Sequence, residues 1–362
     1  MKYSLNYPTD EYVQYIVQTQ LHPQTGSPYW IKRDQKNNKQ AYEKVRTFED
    51  FKRLVGFQTI EEQYQYEKAT RMEPLENFIP ASIKNSRRIW VSETGGTTGA
   101  PKHGCWDEKY WKQVLDFADE FLDQYNVPRN SNWLFAGPMG PHTTGRLIVS
   151  ITENRGGFCF TIDLDPRFVK IMGNEGHLKM YDRYIQHIWD QIRSILTSQK
   201  IEVLFATSRL LEMIPEYLDL KLLKNIKAIV HAGTEMSTET NQLLKEKVVG
   251  DIPVVGIYGT STTGIHFQNL CLSGSRVIYI PCSPFVVLEV INDKGEICDY
   301  EEEGSIATYR LTEDFLIPGF IERDRGKRIK PYGKMASNYP WDWVGDLFSP
   351  EFKKEGSVEG VY

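Results

Sequence analysis

Apolar residues follow two rhythms along this chain. Between about 86 and 265, short apolar runs alternate with stretches where apolar residues return every three or four positions. The runs at 88–91, 133–136, 158–162, 203–206, 226–231 and 254–258 predict strands. Helices are expected over 107–125, 178–196, 209–218 and 238–247. In the first, Tyr110, Val114, Phe117, Ala118, Phe121 and Leu122 share one face, with Asp107 placed to cap it. In the second, Leu178, Tyr181, Ile185, Ile188, Ile192 and Ile195 keep helical spacing. Such alternation predicts an α/β fold with a mostly parallel sheet covered by helices on both faces. Ligands of these sheets sit beyond the carboxyl ends of the strands. That rule singles out the loops after Val91, His231 and Tyr258.

The flanks have a different texture. Residues 1–85 are rich in Tyr, Gln and charge, with helices expected near 47–54 and 60–69 and a loop at 21–28, and they suggest no chemistry. Beyond about 265, apolar segments at 276–280, 285–291 and 305–311 are separated by turns such as Asn292-Asp293-Lys294-Gly295. They predict a β-rich subdomain with the character of a distorted barrel. The expected organisation is a helical region at 1–85, an α/β core at 86–265 and the β-rich subdomain at 266–362.

Composition narrows the class. A net charge of -5 over 362 residues gives no case for a nucleic-acid or membrane-surface partner. The first residues lack the apolar core of a signal peptide, and no run of 18 or more apolar residues exists. Five scattered cysteines, with no C-x-x-C pair, read as reduced thiols of a cytoplasmic protein and give little support for zinc. No G-x-S-x-G elbow occurs, which argues against an α/β-hydrolase.

The most informative segment is Thr94-Gly95-Gly96-Thr97-Thr98-Gly99-Ala100-Pro101-Lys102. Three glycines weaken any strand or helix here. Freed backbone N–H groups, threonine hydroxyls and one lysine are all donors, which suits an anion such as a triphosphate. It is not a Walker A loop, because Gly99 is followed by Ala100-Pro101-Lys102-His103. Its glycine spacing also fails the dinucleotide-binding fingerprint.

The segment resembles the phosphate loop of acyl-adenylate-forming (AMP-binding) enzymes. The continuation His103-Gly104-Cys105-Trp106 with Tyr110-Trp111 is closest to the phenylacetate–CoA ligase branch. Three later segments fit in order: His231-Ala232-Gly233-Thr234-Glu235-Met236-Ser237, Tyr258-Gly259-Thr260-Ser261-Thr262-Thr263-Gly264, and Trp343-Val344-Gly345-Asp346-Leu347. The resemblance implies the large N-terminal domain of that superfamily, with 86–265 as its nucleotide-binding core. It implies ATP and Mg2+ as cofactors, acyl-AMP formation with pyrophosphate release, and transfer to CoA, a carrier protein or an amine.

The implied roles fall residue by residue. Thr94, Gly95, Gly96, Thr97, Thr98, Gly99 and Lys102 would hold the β- and γ-phosphates. Gly233, Thr234, Glu235, Tyr258, Gly259 and Thr260 would frame adenine, Ser261 would meet the α-phosphate, and Asp346 would bind ribose. His142, in Gly137-Pro138-Met139-Gly140-Pro141-His142, is the candidate near the substrate carboxylate. Met236 replaces the usual Pro. Thr262 stands where the resemblance expects a Mg2+-binding Glu, which leaves Glu235 or Glu93 as carboxylates for the ion. A plain strand-to-helix turn with Ser237 as N-cap is the alternative reading of the His231–Ser237 segment, and Arg323-Asp324 rivals Gly345-Asp346. The resemblance also implies a small C-terminal lid domain after Gly345-Asp346, and only Ser349 to Tyr362 follow here. A shortened enzyme, a protein that binds nucleotide without adenylation, and a partner-dependent acyl-transfer or condensing enzyme are therefore weighed together. A homodimer is left open.

Overall fold

The computed structural model describes residues 8–95, 100–233, 242, 244, 246, 248, 250–260, 264–269 and 276–350. The chain forms two compact units. One comprises Met1–Val114, Gly259–Ile265 and Ile280–Gly345; the other comprises Leu115–Tyr258, His266–Tyr279 and Asp346–Tyr362.

Helices open the first unit: α1 (Asp10–Gln20), α2 (Pro28–Asn37), α3 (Ala41–Lys44), α4 (Phe48–Leu54), α5 (Ile60–Met72) and α6 (Ala81–Lys84). Side-chain capping sets the starts of α1, α4 and α5. The Thr9 hydroxyl accepts from the Tyr12 amide, Thr47 and Asp50 form a capping box, and the Thr59 hydroxyl accepts from the Glu62 amide. Next come β1 (Ile89–Glu93), β2 (His103–Asp107) and α7 (Glu108–Gln124). The sequence suggested a strand leading through the Gly/Thr loop directly to a helix. Instead β1 and β2 pair antiparallel, from Ile89 opposite Asp107 to Glu93 opposite His103. The pairing is fixed by packing as well as by the ladder: Trp106 Nε1 donates to Ser92 Oγ across the hairpin at 3.0 Å. The expected cap is present, since the Tyr110 amide donates to Asp107 at 2.7 Å.

The second unit carries the sheet. Its elements are β3 (Trp133–Gly137), α8 (Thr143–Asn154), β4 (Cys159–Asp163), α9 (Pro166–Asn174), α10 (Leu178–Ser198), β5 (Val203–Thr207), α11 (Ser208–Tyr217), β6 (Ala228–Ala232), β7 (Val254–Thr260) and β8 (Gly264–Gln268). Spatial order is β8-β7-β6-β5-β3-β4, and β7, β6, β5, β3 and β4 run parallel. Every residue of β3, β5 and β6 is buried, as expected of strands covered on both faces. Ile185, Ile188, Trp189 and Ile192 of α10 pack with Leu134, Leu204, Leu210 and Ile214 in one apolar core. This is the α/β arrangement that the alternating pattern anticipates. The helix expected over 238–247 lies largely outside the described residues.

The remaining strands are β9 (Ile278–Pro281), β10 (Val286–Ile291), β11 (Glu303–Leu311), β12 (Leu316–Ile329) and β13 (Trp343–Phe348). Within the first unit β10, β11 and β12 make an antiparallel meander. The three sequence segments beyond 265 correspond to β9, β10 and β11, whereas the 14-residue β12 has no counterpart among them. Its second half, Glu322-Arg323-Asp324-Arg325, is charged and breaks the apolar alternation that marks a strand. Among the described residues no helix is long and apolar enough to cross a membrane.

One ion pair lies wholly inside the first unit. Arg310 of β11 and Asp314 are both fully buried, with Nη2 3.0 Å from Oδ2. The same nitrogen donates to the Cys105 carbonyl at 2.7 Å, and Arg310 Nε donates to Thr312 Oγ1 at 3.0 Å. The guanidinium lies 4.5 Å from the Trp106 ring centre and 5.0 Å from that of Tyr110. Asp314 also accepts from the Asp107 amide at 2.8 Å. Removing one member of a buried pair leaves a charge uncompensated in a low dielectric. Asp314→Ala is expected to destabilise the protein by about 3–5 kcal/mol, read as a lower urea midpoint; a loss within the range of an exposed substitution would refute this account.

Candidate active site

The Gly/Thr segment occupies the tip of the β1–β2 hairpin. Its neck is closed by two hydrogen bonds: the Thr94 amide donates to the Lys102 carbonyl at 3.0 Å, and the Lys102 amide donates to Thr94 Oγ1 at 3.0 Å. Beside the neck, Glu93 Oε1 lies 3.5 Å from His103 Nε2. Thr94, Gly95 and Lys102 are thus brought together. Gly96, Thr97, Thr98 and Gly99 lie outside the described residues.

Groups from α5 and β12 surround Lys102. Its Nζ donates to Glu67 Oε1 at 2.9 Å and sits 4.5 Å from the Phe320 ring centre. Tyr66, Thr70, Lys102, His103, Phe315, Ile317 and Phe320 line a pocket here. Glu322 is half-buried as a residue, but its carboxyl turns inward and Oε1 is shut off from solvent. Burial pushes its pKa up to about 7; Lys102 opposes the shift, while Asp324 and Glu67 add to it.

His142, Gly233, Tyr258 and Asp346 lie in the second unit, the first three toward the carboxyl ends of parallel strands and Asp346 within β13. His142 follows β3 and begins α8; it is 5% exposed, and its amide donates to the Met139 carbonyl at 3.0 Å. Gly233 follows β6 with φ of 98°, a backbone conformation suited to glycine. Tyr258 of β7 is half-buried, its ring 5.6 Å from His266 and 5.5 Å from Tyr279. Asp346 has φ of 50° and is held by Arg276 through Nη2 at 2.8 Å and Nε at 3.3 Å. Gly259 belongs to the first unit, where an added Cβ would lie 2.0 Å from the Gly264 carbonyl oxygen. Thr234, Glu235 and Ser261, together with the side chain of Thr260, lie outside the described residues.

Sequence reasoning missed a buried polar cluster along the same strand ends. His231 Nδ1 is 3.1 Å from Ser208 Oγ. Gln268 Oε1 accepts from the Gly256 amide at 2.8 Å. A Cβ on Gly256 would meet that oxygen at 2.6 Å and His231 Nε2 at 3.0 Å, so the approach requires glycine. Burial lowers the His231 pKa to about 4 and that of His266 to about 3, so both rings are neutral at pH 7. Glu67, Arg71 and Phe320 were missed as well; the one local sign is that Glu67, Thr70 and Arg71 share a face of α5. Among the described residues no group of three or more His, Cys, Asp or Glu side chains could hold a metal ion.

No protein-family model and no curated protein matches the sequence. Solved structures do match in shape. An open conformation of 2-hydroxyisobutyryl-CoA ligase, in complex with 2-HIB-AMP and CoA, aligns with a TM-score of 0.65 at 10% identity, over 92% of this chain and 72% of that one. The same ligase in its thioesterification state aligns with a TM-score of 0.64 at 13% identity, over 94% of this chain and 67% of that one. The chain therefore shares the fold of these ligase structures, the fold that the motifs led us to expect. At such identity the likeness is one of fold.

Glu322 gives a pH test. Its pKa in the folded protein lies above the ordinary 4.5, so the native state keeps this proton longer than the unfolded chain does. Its contribution to stability is intact below pH 4.5 and is lost as pH rises through about 7. Glu322→Gln should be more stable than wild type at pH 8 by about 1–2 kcal/mol and nearly equal to it at pH 4.5. Urea midpoints at the two pH values check this, and an equal effect at both would contradict it.

Proposed function

We propose that this chain activates a carboxylic acid as an acyl-adenylate with ATP and passes the acyl group to a thiol or an amine. The observation that carries the reading is the Gly/Thr-rich tip of a hairpin, closed at Thr94 and Lys102, in a chain with the fold of acyl-adenylate-forming ligases.

The loop from Thr94 to Lys102 holds the β- and γ-phosphates through its amides and hydroxyls. A carboxylate oxygen attacks the α-phosphorus in line; the bond to the β-phosphate breaks, and pyrophosphate leaves with the electron pair. Such a step depends on alignment and on donors aimed at the phosphate oxygens. Gly233, Thr234, Glu235, Tyr258, Gly259 and Thr260 frame adenine. Ser261 meets the α-phosphate and Asp346 the ribose. His142, at the carboxyl end of β3, lies toward the acid. Magnesium enters as MgATP, with the triphosphate and water as its main ligands. Glu93 beside the loop neck and Glu235 fit it as carboxylate donors; Thr262 offers a hydroxyl.

The Trp-bearing continuation after the loop makes aromatic acids the first class to test. CoA, a carrier protein or an amine is the acceptor. A second reading, nucleotide binding without adenylation, is favoured by Thr262 in the place of a metal-binding Glu.

ATP–pyrophosphate exchange with Mg2+ and a panel of aryl and alkyl acids is the test. Exchange that depends on one acid class is the expected result. MgATP binding with no exchange for any acid would favour the second reading, and no MgATP binding would remove both.

A further inference from the structure

Helix α5 lies in a region whose sequence suggests no chemistry, yet it holds the returning arm of the phosphate loop. Lys102 Nζ donates to Glu67 Oε1 at 2.9 Å. Arg71 Nε donates to the Ala100 carbonyl at 2.8 Å, and His103 Nδ1 lies 3.3 Å from the Thr70 carbonyl. Glu67 and Lys102 are each about one-fifth exposed, so their pair is only partly screened by water. On the other side Lys102 rests over Phe320, and the Glu322 carboxyl is close enough to feel its charge.

These surroundings bear on what Lys102 can do. Glu67 Oε1 also lies 3.7 Å from Arg71 Nη2, so one carboxylate is shared by two cations and offsets part of the attraction that a polyphosphate reaching the loop meets from Nζ. The ammonium has three donors, but the 2.9 Å charge-assisted bond to Glu67 fixes where Nζ sits, and a direct contact with phosphate must be made from that position. The existing bond has another effect. Ordering a loop on ligand binding costs entropy. Anchors at Ala100, Lys102 and His103 limit that cost by holding the arm before the ligand arrives.

We propose that Glu67 is a positioning residue for the phosphate loop: through Lys102 it holds the loop's returning arm against α5, and Lys102 acts on polyphosphate through the loop's position. The identity of the ligand rests on the function proposed above; the clamp itself does not.

The test compares wild type, Glu67→Gln, Lys102→Met and the double variant in the full chain. Amide hydrogen exchange at Thr94 and Lys102 is measured without nucleotide, with α1 as the control for global unfolding. MgATP affinity is measured by calorimetry. Each single variant should speed exchange at the neck but not in α1, and should weaken MgATP about three- to tenfold. The double variant should be no weaker than the singles, because the two side chains act as one unit. Tighter MgATP binding by Glu67→Gln would mean that freed Lys102 touches phosphate, which overturns the proposal. Multiplying effects in the double variant, or unchanged exchange at the neck, would overturn it too. If wild type binds no MgATP, the functional reading fails and takes the ligand with it. Exchange at the neck then decides whether the clamp exists.

Discussion

A guanidinium withdrawn from water organises the first unit. Arg310 cannot shed its charge, so the chain around it must supply acceptors and aromatic faces. Those it finds are Asp314, the Cys105 carbonyl, Thr312, Trp106 and Tyr110. Asp314 in turn receives the amide of Asp107, whose carboxylate caps α7 and pairs with Arg87 at 2.6 Å. One buried charge therefore fixes β2 against β11 and sets the start of the helix after it. The hairpin that carries the Gly/Thr segment is placed as a consequence of where Arg310 can be satisfied.

Two kinds of polar site coexist in the chain. In the first unit the chemistry is ionic: Lys102 pairs with Glu67 beside the Phe320 ring, and burial raises the pKa of Glu322, which feels both charges. In the second unit the strand ends carry neutral donors and acceptors. His231 and His266 are held uncharged by burial, and Ser208 and Gln268 engage His231 and the Gly256 amide. Neutral groups of that kind discriminate by hydrogen-bond geometry, since an unmatched partner leaves a buried donor or acceptor unmet.

The alternation of apolar runs with helical spacing was enough to read the parallel sheet, because β3, β5 and β6 are apolar but for Thr207 and His231 at their carboxyl ends. A break between strands at the Gly/Thr segment was legible from composition, as three glycines and three threonines in a short span disfavour regular structure. What the sequence concealed was long-range or masked by charge. The strand β2 hides in His103-Gly104-Cys105-Trp106-Asp107, where only two residues are plainly apolar. Half of β12 reads as a charged turn. The partners of Lys102 and Asp346 are 35 and 70 positions away, at Glu67 and Arg276, and no local periodicity encodes such meetings.

The closed neck at Thr94 and Lys102 has a bearing on how this chain can diverge. The hairpin register ends at Glu93 opposite His103, and the two hydrogen bonds beyond it finish the ladder. The pairing of β1 with β2 is complete without any residue beyond that neck. The span beyond it is in that sense a cassette: its sequence can change while the neck and the ladder beneath it keep the register, Ala100, whose carbonyl Arg71 holds, set apart.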